Sequence, residues 1–273
     1  MCSGHFRLAA LPFSLFALCF LLLPLQAQNN NEQLQVGPPP LHRAAPPRPG
    51  ASAEELEYRG DELREDKDFL DALDFYTAAL NSSPGNASLY RKIGICQLMM
   101  QRYKDAKKSF ERAIHVDRKD AVAYNNLGVV YYSTHNYNAA IKQYEKAISF
   151  DDSSASYYSN LGAAYFGRKQ YDKAIRNYSK AVELDPDIFE RTSRAGVLAQ
   201  LPSPEDRARY DYVIAKLYAK AGISDRSLHY LKKAMEEGYK DIKNVYKDEE
   251  FSALRKDPRF AELMAAKTLP ISN

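Results

Sequence analysis

The fold is decided by Tyr124-Asn125-Asn126-Leu127-Gly128-Val129-Val130-Tyr131, because 34 residues further on the chain reads Tyr158-Ser159-Asn160-Leu161-Gly162-Ala163-Ala164-Tyr165. The same step continues outward from this pair. Glycines stand at Gly60, Gly94, Gly128 and Gly162, and alanines at Ala72, Ala106, Ala140 and Ala174. Large aromatic residues follow at Tyr76, Phe110, Tyr144 and Tyr178, with a second alanine row at Ala79, Ala113, Ala147 and Ala181. Four columns in register over four units are an internal repeat, and a period of this length belongs to stacked helical hairpins. Each unit has two stretches with apolar residues at helical spacing, parted by a short polar segment such as Thr134-His135-Asn136. Small residues let the two helices of a hairpin approach closely, and each aromatic is expected to fill the space between that hairpin and the next. One hairpin cannot hide its apolar faces alone, so neighbours share a continuous core.

The period and the small and aromatic columns resemble the tetratricopeptide-repeat family, with units at 53–86, 87–120, 121–154 and 155–188. Tyr90, Tyr124 and Tyr158 take the place where that family usually has Trp. The resemblance implies an all-α fold, a right-handed α-solenoid of helix-turn-helix hairpins. Pro84 and Pro186 close two units, whereas Arg118 and Asp152 replace proline in the middle two, which predicts less rigid turns there. After Ile188 the pattern slips. Residues 189–207, with Pro202 and Pro204, read as an irregular insert with a short helix around 192–201. A degenerate fifth unit follows at 208–241, with Ser227 in an alanine place and Gly238 closing its second helix. Residues 242–267 read as a helical cap, a pair of helices in which Phe251, Leu254, Phe260 and Leu263 cover the last repeat and Pro258 suits a first turn. Residues 268–273 are expected to be a disordered tail.

The N-terminus reads as a targeting segment. Arg7 precedes an uncharged apolar run from Leu8 to Leu25, and Ala27 offers a cleavage point before polar residues. A secretory signal over 1–27 is expected, and with it export to the periplasm or beyond; the leader and the tail look bacterial. Contact with a membrane is expected only if that segment is not cleaved. Residues 28–52, rich in proline, read as a disordered spacer. Removal of the leader takes Cys2 and Cys19, so Cys96 stands alone and packing must supply the stability. A formal net charge of +3 is too small to indicate a nucleic-acid partner, and no stripe of Lys and Arg shows along the chain.

The resemblance further implies that the first helix of each hairpin lines a concave face. The groove so defined begins at an acidic end with Glu57 and Asp61, and continues through Arg91, Ile95, Leu98 and Met99 to Asn125, Asn126, Val129 and Tyr132, then Asn160 and Phe166. Asn126 and Asn160 carry donor and acceptor together, which suits either a peptide backbone or a neighbouring repeat. Leu98, Met99, Tyr132 and Phe166 are candidate pockets for apolar side chains. No catalytic pattern accompanies them: His5, His42, His115, His135 and His229 are isolated, without metal-ligand spacing or a phosphate loop. The expectation is therefore a non-enzymatic protein-interaction scaffold of the cell envelope, binding a peptide or protein surface. No cofactor, metal or small-molecule substrate is expected. The alternative is a self-associating or membrane-anchored structural or assembly factor.

Overall fold

The structure, a computed structural model, describes residues 44–190 and 203–266. All of them belong to one compact unit, residues 43–273. The predicted signal at 1–27, residues 28–43 of the spacer, most of the insert with its short helix, and the tail at 268–273 lie outside the described residues.

Four hairpins follow one another: α1 (Ala53–Glu65) with α2 (Phe69–Ser82), α3 (Ala87–Met99) with α4 (Tyr103–Val116), α5 (Ala121–Ser133) with α6 (Tyr137–Phe150), and α7 (Ala155–Gly167) with α8 (Tyr171–Leu184). First helices have 13 residues and second helices 14, so equivalent side chains keep their orientation from hairpin to hairpin. No strand occurs among the described residues, and none of their helices is long and apolar enough to cross a membrane. The first helices of hairpins one to three start on side-chain caps, Ser52 in a reciprocal pair with Glu55, then Asn86 and Asp120 accepting from the backbone, whereas Ser154 before α7 makes no such bond. Every first helix also ends alike. Lys67, Gln101, His135 and Lys169 all take positive φ, 58–67°, and the next amide reaches back five residues to close the turn.

The glycine column explains how closely each hairpin is drawn together. A Cβ at Gly60, Gly94, Gly128 or Gly162 would come within 2.5–2.6 Å of the ring of Tyr76, Phe110, Tyr144 or Tyr178. The aromatics thus fill their own hairpins and also join the core shared with the next: Tyr76 clusters with Leu89, Ile93 and Cys96, and Tyr144 with Leu161 and Ala164. Tyr76 has the Lys92 ammonium of the second hairpin 5.6 Å from its ring centroid, and Tyr178 lies 5.3 Å from Phe189 and 5.8 Å from Tyr210 between ring centroids.

The two turns without proline are held by aspartate. Asp117, Asp151 and Asp185, again 34 residues apart, each accept from the backbone amide two residues on. The same hydrogen bond is made with Pro186 present or Arg118 and Asp152 in its place, so side-chain bonding substitutes for the ring.

Three boundaries differ from the sequence reading. Residues 44–52 are not a free spacer: the Ala44 amide donates to the Asp71 carboxylate at 3.0 Å, and Ala44 and Ala51 pack on the first hairpin core. The fifth hairpin starts earlier than 208, because Pro204 opens α9 (Pro204–Lys220) behind the Ser203 cap. Its partner α10 (Ser224–Glu236) places Ser227 at the alanine position, where the buried hydroxyl donates to the Ala215 carbonyl at 2.8 Å. Finally, the cap is not a pair of α-helices. Three short 3-10 segments (Ile242–Tyr246, Glu249–Phe251, Leu254–Lys256) precede α11 (Pro258–Ala265). Phe251, Leu254 and Phe260 are buried there, while Leu263 is half-buried. Polar contacts seat this irregular chain: Arg255 donates to the carbonyls of Val245 and Asp248, and the Tyr212 hydroxyl to the Asp248 carboxylate.

Candidate functional site

The inner face of the stack is made by first helices, since α3 meets α5 and α5 meets α7 across successive hairpins. The structure sorts the predicted groove residues into three zones along it.

At the first hairpin the acids are neutralised from the second. The Lys92 ammonium lies 2.7 Å from Glu57 and 2.6 Å from Asp61, and Arg64 lies 3.7 Å from Asp61. The Tyr76 hydroxyl donates to Asp61 at 2.7 Å and accepts from Arg64 at 3.2 Å. Burial pushes the Asp61 carboxyl up, but the hydrogen bonds from Lys92 and Tyr76 and the neighbouring positive charges outweigh it and hold the group below its usual range. The expected acidic end is therefore an internal ion network that ties α1 to α3. Cys96 lies close by, buried and inert: desolvation raises its thiol to about 11.

At the fourth hairpin the floor is closed. Ser159, Asn160, Ala163 and Phe166 are at most 5% exposed. Phe166 packs against Tyr171 and Tyr210, with centroids 5.1 and 5.8 Å away, and Tyr132 of the third hairpin is 1% exposed beside Tyr137. This corrects the reading of Tyr132 and Phe166 as open pockets: their area is already spent on the core. The Asn160 amide donates to Asn125 at 2.9 Å, and Asn125 donates onward to Asn126 at 3.4 Å, so a ladder of amides links α7 to α5. Here the neighbouring-repeat role of Asn160 is met directly.

Between these zones the face stays open. Met99 is 56% exposed and Val122 39%, and Arg91, Ile95, Leu98, Asn126 and Val129 are partly exposed. Ile95 and Leu98 rest on a small core of Ala106, Phe110, Leu127 and Val130. The Arg91 Nε is buried and lies 2.8 Å from the Asp120 carboxylate in an ion pair without hydrogen-bond alignment. The sequence reading turns Lys92 and Arg64 toward the groove without pairing them and leaves out Tyr76; all three complete the ion network. Their signal is present in the charge alternation between hairpins one and two, but not the distances that pair them.

Beneath the face lie two orphan groups. The hydroxyls of Tyr144 and Tyr178 are buried and find no partner among the described residues. Burial pushes both phenols well above their ordinary range. Their equivalent in the first hairpin, Tyr76, has Asp61 and Arg64; their equivalent in the second is Phe110, which lacks the group.

Uniform hairpins, a shared core and an inner face with one open zone define a helical-repeat scaffold. Three family models, described as tetratricopeptide repeat or TPR repeat, match residues 63–127, 130–169 and 155–188 in succession. The chain belongs to the tetratricopeptide-repeat family, whose frame is a protein-interaction scaffold. Among solved structures it is similar to MamA, at 27% identity over 65% of this chain and 93% of that one, with a TM-score of 0.47. It is also similar to YrrB, described as a TPR protein with an unusual peptide-binding site (19% identity, 75% and 91% covered, TM-score 0.46). A third is a thermophilic TPR protein of Thermus thermophilus (19% identity, 74% and 99% covered, TM-score 0.49). None of these likenesses carries the identification, which rests on the repeat models and the hairpins. No curated protein matches the chain.

Proposed function

We propose that this protein is a binding scaffold of the cell envelope that holds a peptide segment against the inner face of α3 and α5, without catalysing a reaction on it. The observation that carries the reading is the contrast along the inner face. At the places of Ile95 and Val129 the first hairpin has the ion-paired Asp61 and the fourth the buried Ala163, whereas these two stay partly exposed, with Leu98 and the exposed Met99 and Val122 near them on the same helices. Met99 is unbranched and adapts its shape to apolar side chains. Arg91 and Asn126 supply polar groups that orient a main chain. The envelope location rests on the leader sequence alone; mass measurement of the mature protein tests it, an N-terminus at Gln28 being the expected outcome and an intact Met1 the outcome that removes it.

Photo-crosslinking in the native cell tests the site. A photoreactive residue replaces Met99, with a control at the exposed Thr77 of α2. Adducts formed at 99 and absent at 77 support a partner on this face; equal capture at both positions removes the assignment.

A further inference from the structure

Along the linear chain no basic stripe appears; across the fold one does. On the second helices α4, α6 and α8, equivalent places carry Lys108, Lys142 and Arg176, and four residues later Arg112, Lys146 and Lys180, all exposed or partly exposed. Residues four apart on a helix lie on one side of it, so each helix shows the same line of two cations. Four residues further the line ends on Val116, Phe150 or Leu184. Val116 is 43% and Leu184 38% exposed, and the Lys146 ammonium lies 4.6 Å above the Phe150 ring. The pattern is confined to hairpins two to four. In the first, Asp74 and Ala78 hold the two places, and in the fifth Lys233 is engaged with Asp211 at 3.2 Å.

Acidic residues on these helices form a salt bridge with one member of the stripe, Lys180, and leave the other five without one. Glu111 lies 3.7 Å from Lys107, Glu145 accepts from the Tyr165 hydroxyl at 2.8 Å, and Glu183 lies 3.5 Å from Lys180. Lys108, Arg112, Lys142, Lys146 and Arg176 make no ion pair among the described residues. Five cations of one sign, arrayed by the repeat and left unpaired, cost mutual repulsion that an anionic surface would relieve.

We propose that the second-helix face of hairpins two to four docks an acidic, partly apolar segment of a protein partner. Discrete carboxylates can meet the two cation rows while apolar side chains rest on Val116 and Leu184. A nucleic acid fits worse, because single strands need exposed aromatic rings for stacking and the exposed tyrosines, Tyr58 and Tyr246, lie off these helices. An anionic membrane fits worse too, since Glu111, Glu145 and Glu183 would face the headgroups across a ridge with little apolar area. This surface lies on the opposite helices from the peptide site proposed above, and the two assignments stand or fall separately.

The test uses the full chain and a fluorescent peptide of repeated Glu-Glu-Leu triplets. A single-stranded DNA of equal charge and vesicles of phosphatidylglycerol with phosphatidylcholine run beside it. The variant Lys108→Glu/Lys142→Glu/Arg176→Glu reverses one row. Lys220→Glu/Lys243→Glu/Lys247→Glu makes the same charge change at exposed lysines off the face. Circular dichroism confirms that both fold. The expected result is salt-sensitive peptide binding, kept by the control and weakened about tenfold or more in the row variant. Absence of peptide binding, equal loss in both variants, or tighter binding of DNA or vesicles than of peptide overturns the proposal.

Discussion

At the residue scale, one register position separates a satisfied group from two orphans. Tyr76 gives its proton to Asp61, while the hydroxyls of Tyr144 and Tyr178, one and two hairpins beyond Phe110, are buried without a partner among the described residues. A buried unpaired hydroxyl costs about 1–3 kcal/mol, whereas a made hydrogen bond contributes about 1 kcal/mol. Tyr144→Phe and Tyr178→Phe are therefore expected to be neutral or to stabilise by about 1 kcal/mol, and Tyr76→Phe to destabilise by a similar amount, in urea unfolding. The same network sets a pH dependence. Folding lowers the Asp61 pKa below its ordinary value of 3.8, so the unfolded chain takes up the proton first as the medium is acidified. The stabilisation is complete above that value and is lost as pH falls through the lower folded one. Between about pH 5 and pH 2 the urea midpoint of the wild type should fall more steeply than that of Asp61→Asn; parallel curves would remove the network from the account.

At the scale of the element, the turns inside the hairpins carry strain that the repeat tolerates. Lys67, Gln101, His135 and Lys169 adopt the left-handed conformation with a side chain, where Gly222 of the fifth hairpin does so without one. A Cβ there costs about 1 kcal/mol. His135→Gly is expected to stabilise by about that amount in thermal unfolding, although its imidazole then leaves the Tyr137 hydroxyl at 3.1 Å. An unchanged melting temperature would mean that this contact offsets the strain. The aspartates at 117, 151 and 185 show the opposite economy: one side-chain hydrogen bond makes the inter-hairpin turn indifferent to proline. Asp151 shows it in its ionisation, held low by the bonds from Ser153.

For the whole molecule, stability of a stacked array is a sum over neighbours, so an end is felt most by the hairpin beside it. The cap shares one core with hairpins three to five, while the first hairpin has a separate core around Leu56, Phe75 and Tyr76. Phe251→Ala removes a fully buried ring, at about 3–5 kcal/mol. Hydrogen exchange should then quicken most in α9 and α10 and least in α1 and α2. Uniform loss of protection would show a single cooperative unit instead. At this scale the two faces also diverge: the inner one is largely consumed by packing, and the outer one carries charge in rows.

The repeat, its boundaries near Ala53, Ala87, Ala121 and Ala155, and the all-helical stack were legible in the sequence because small and aromatic residues recur at fixed spacing. Steric fit forces that spacing: only glycine clears the rings of Tyr76, Phe110, Tyr144 and Tyr178. The candidate site was legible only as a set of positions. Whether Asp61 faces a ligand or Lys92, and whether Tyr132 is open or buried, depends on distances between residues about a repeat apart, which no linear pattern encodes. The same holds for the cations of α4, α6 and α8. Separated along the chain they look like ordinary solvated charges; only the stacking of hairpins brings them into rows, because the superposition of identical helices turns a 34-residue period into a surface.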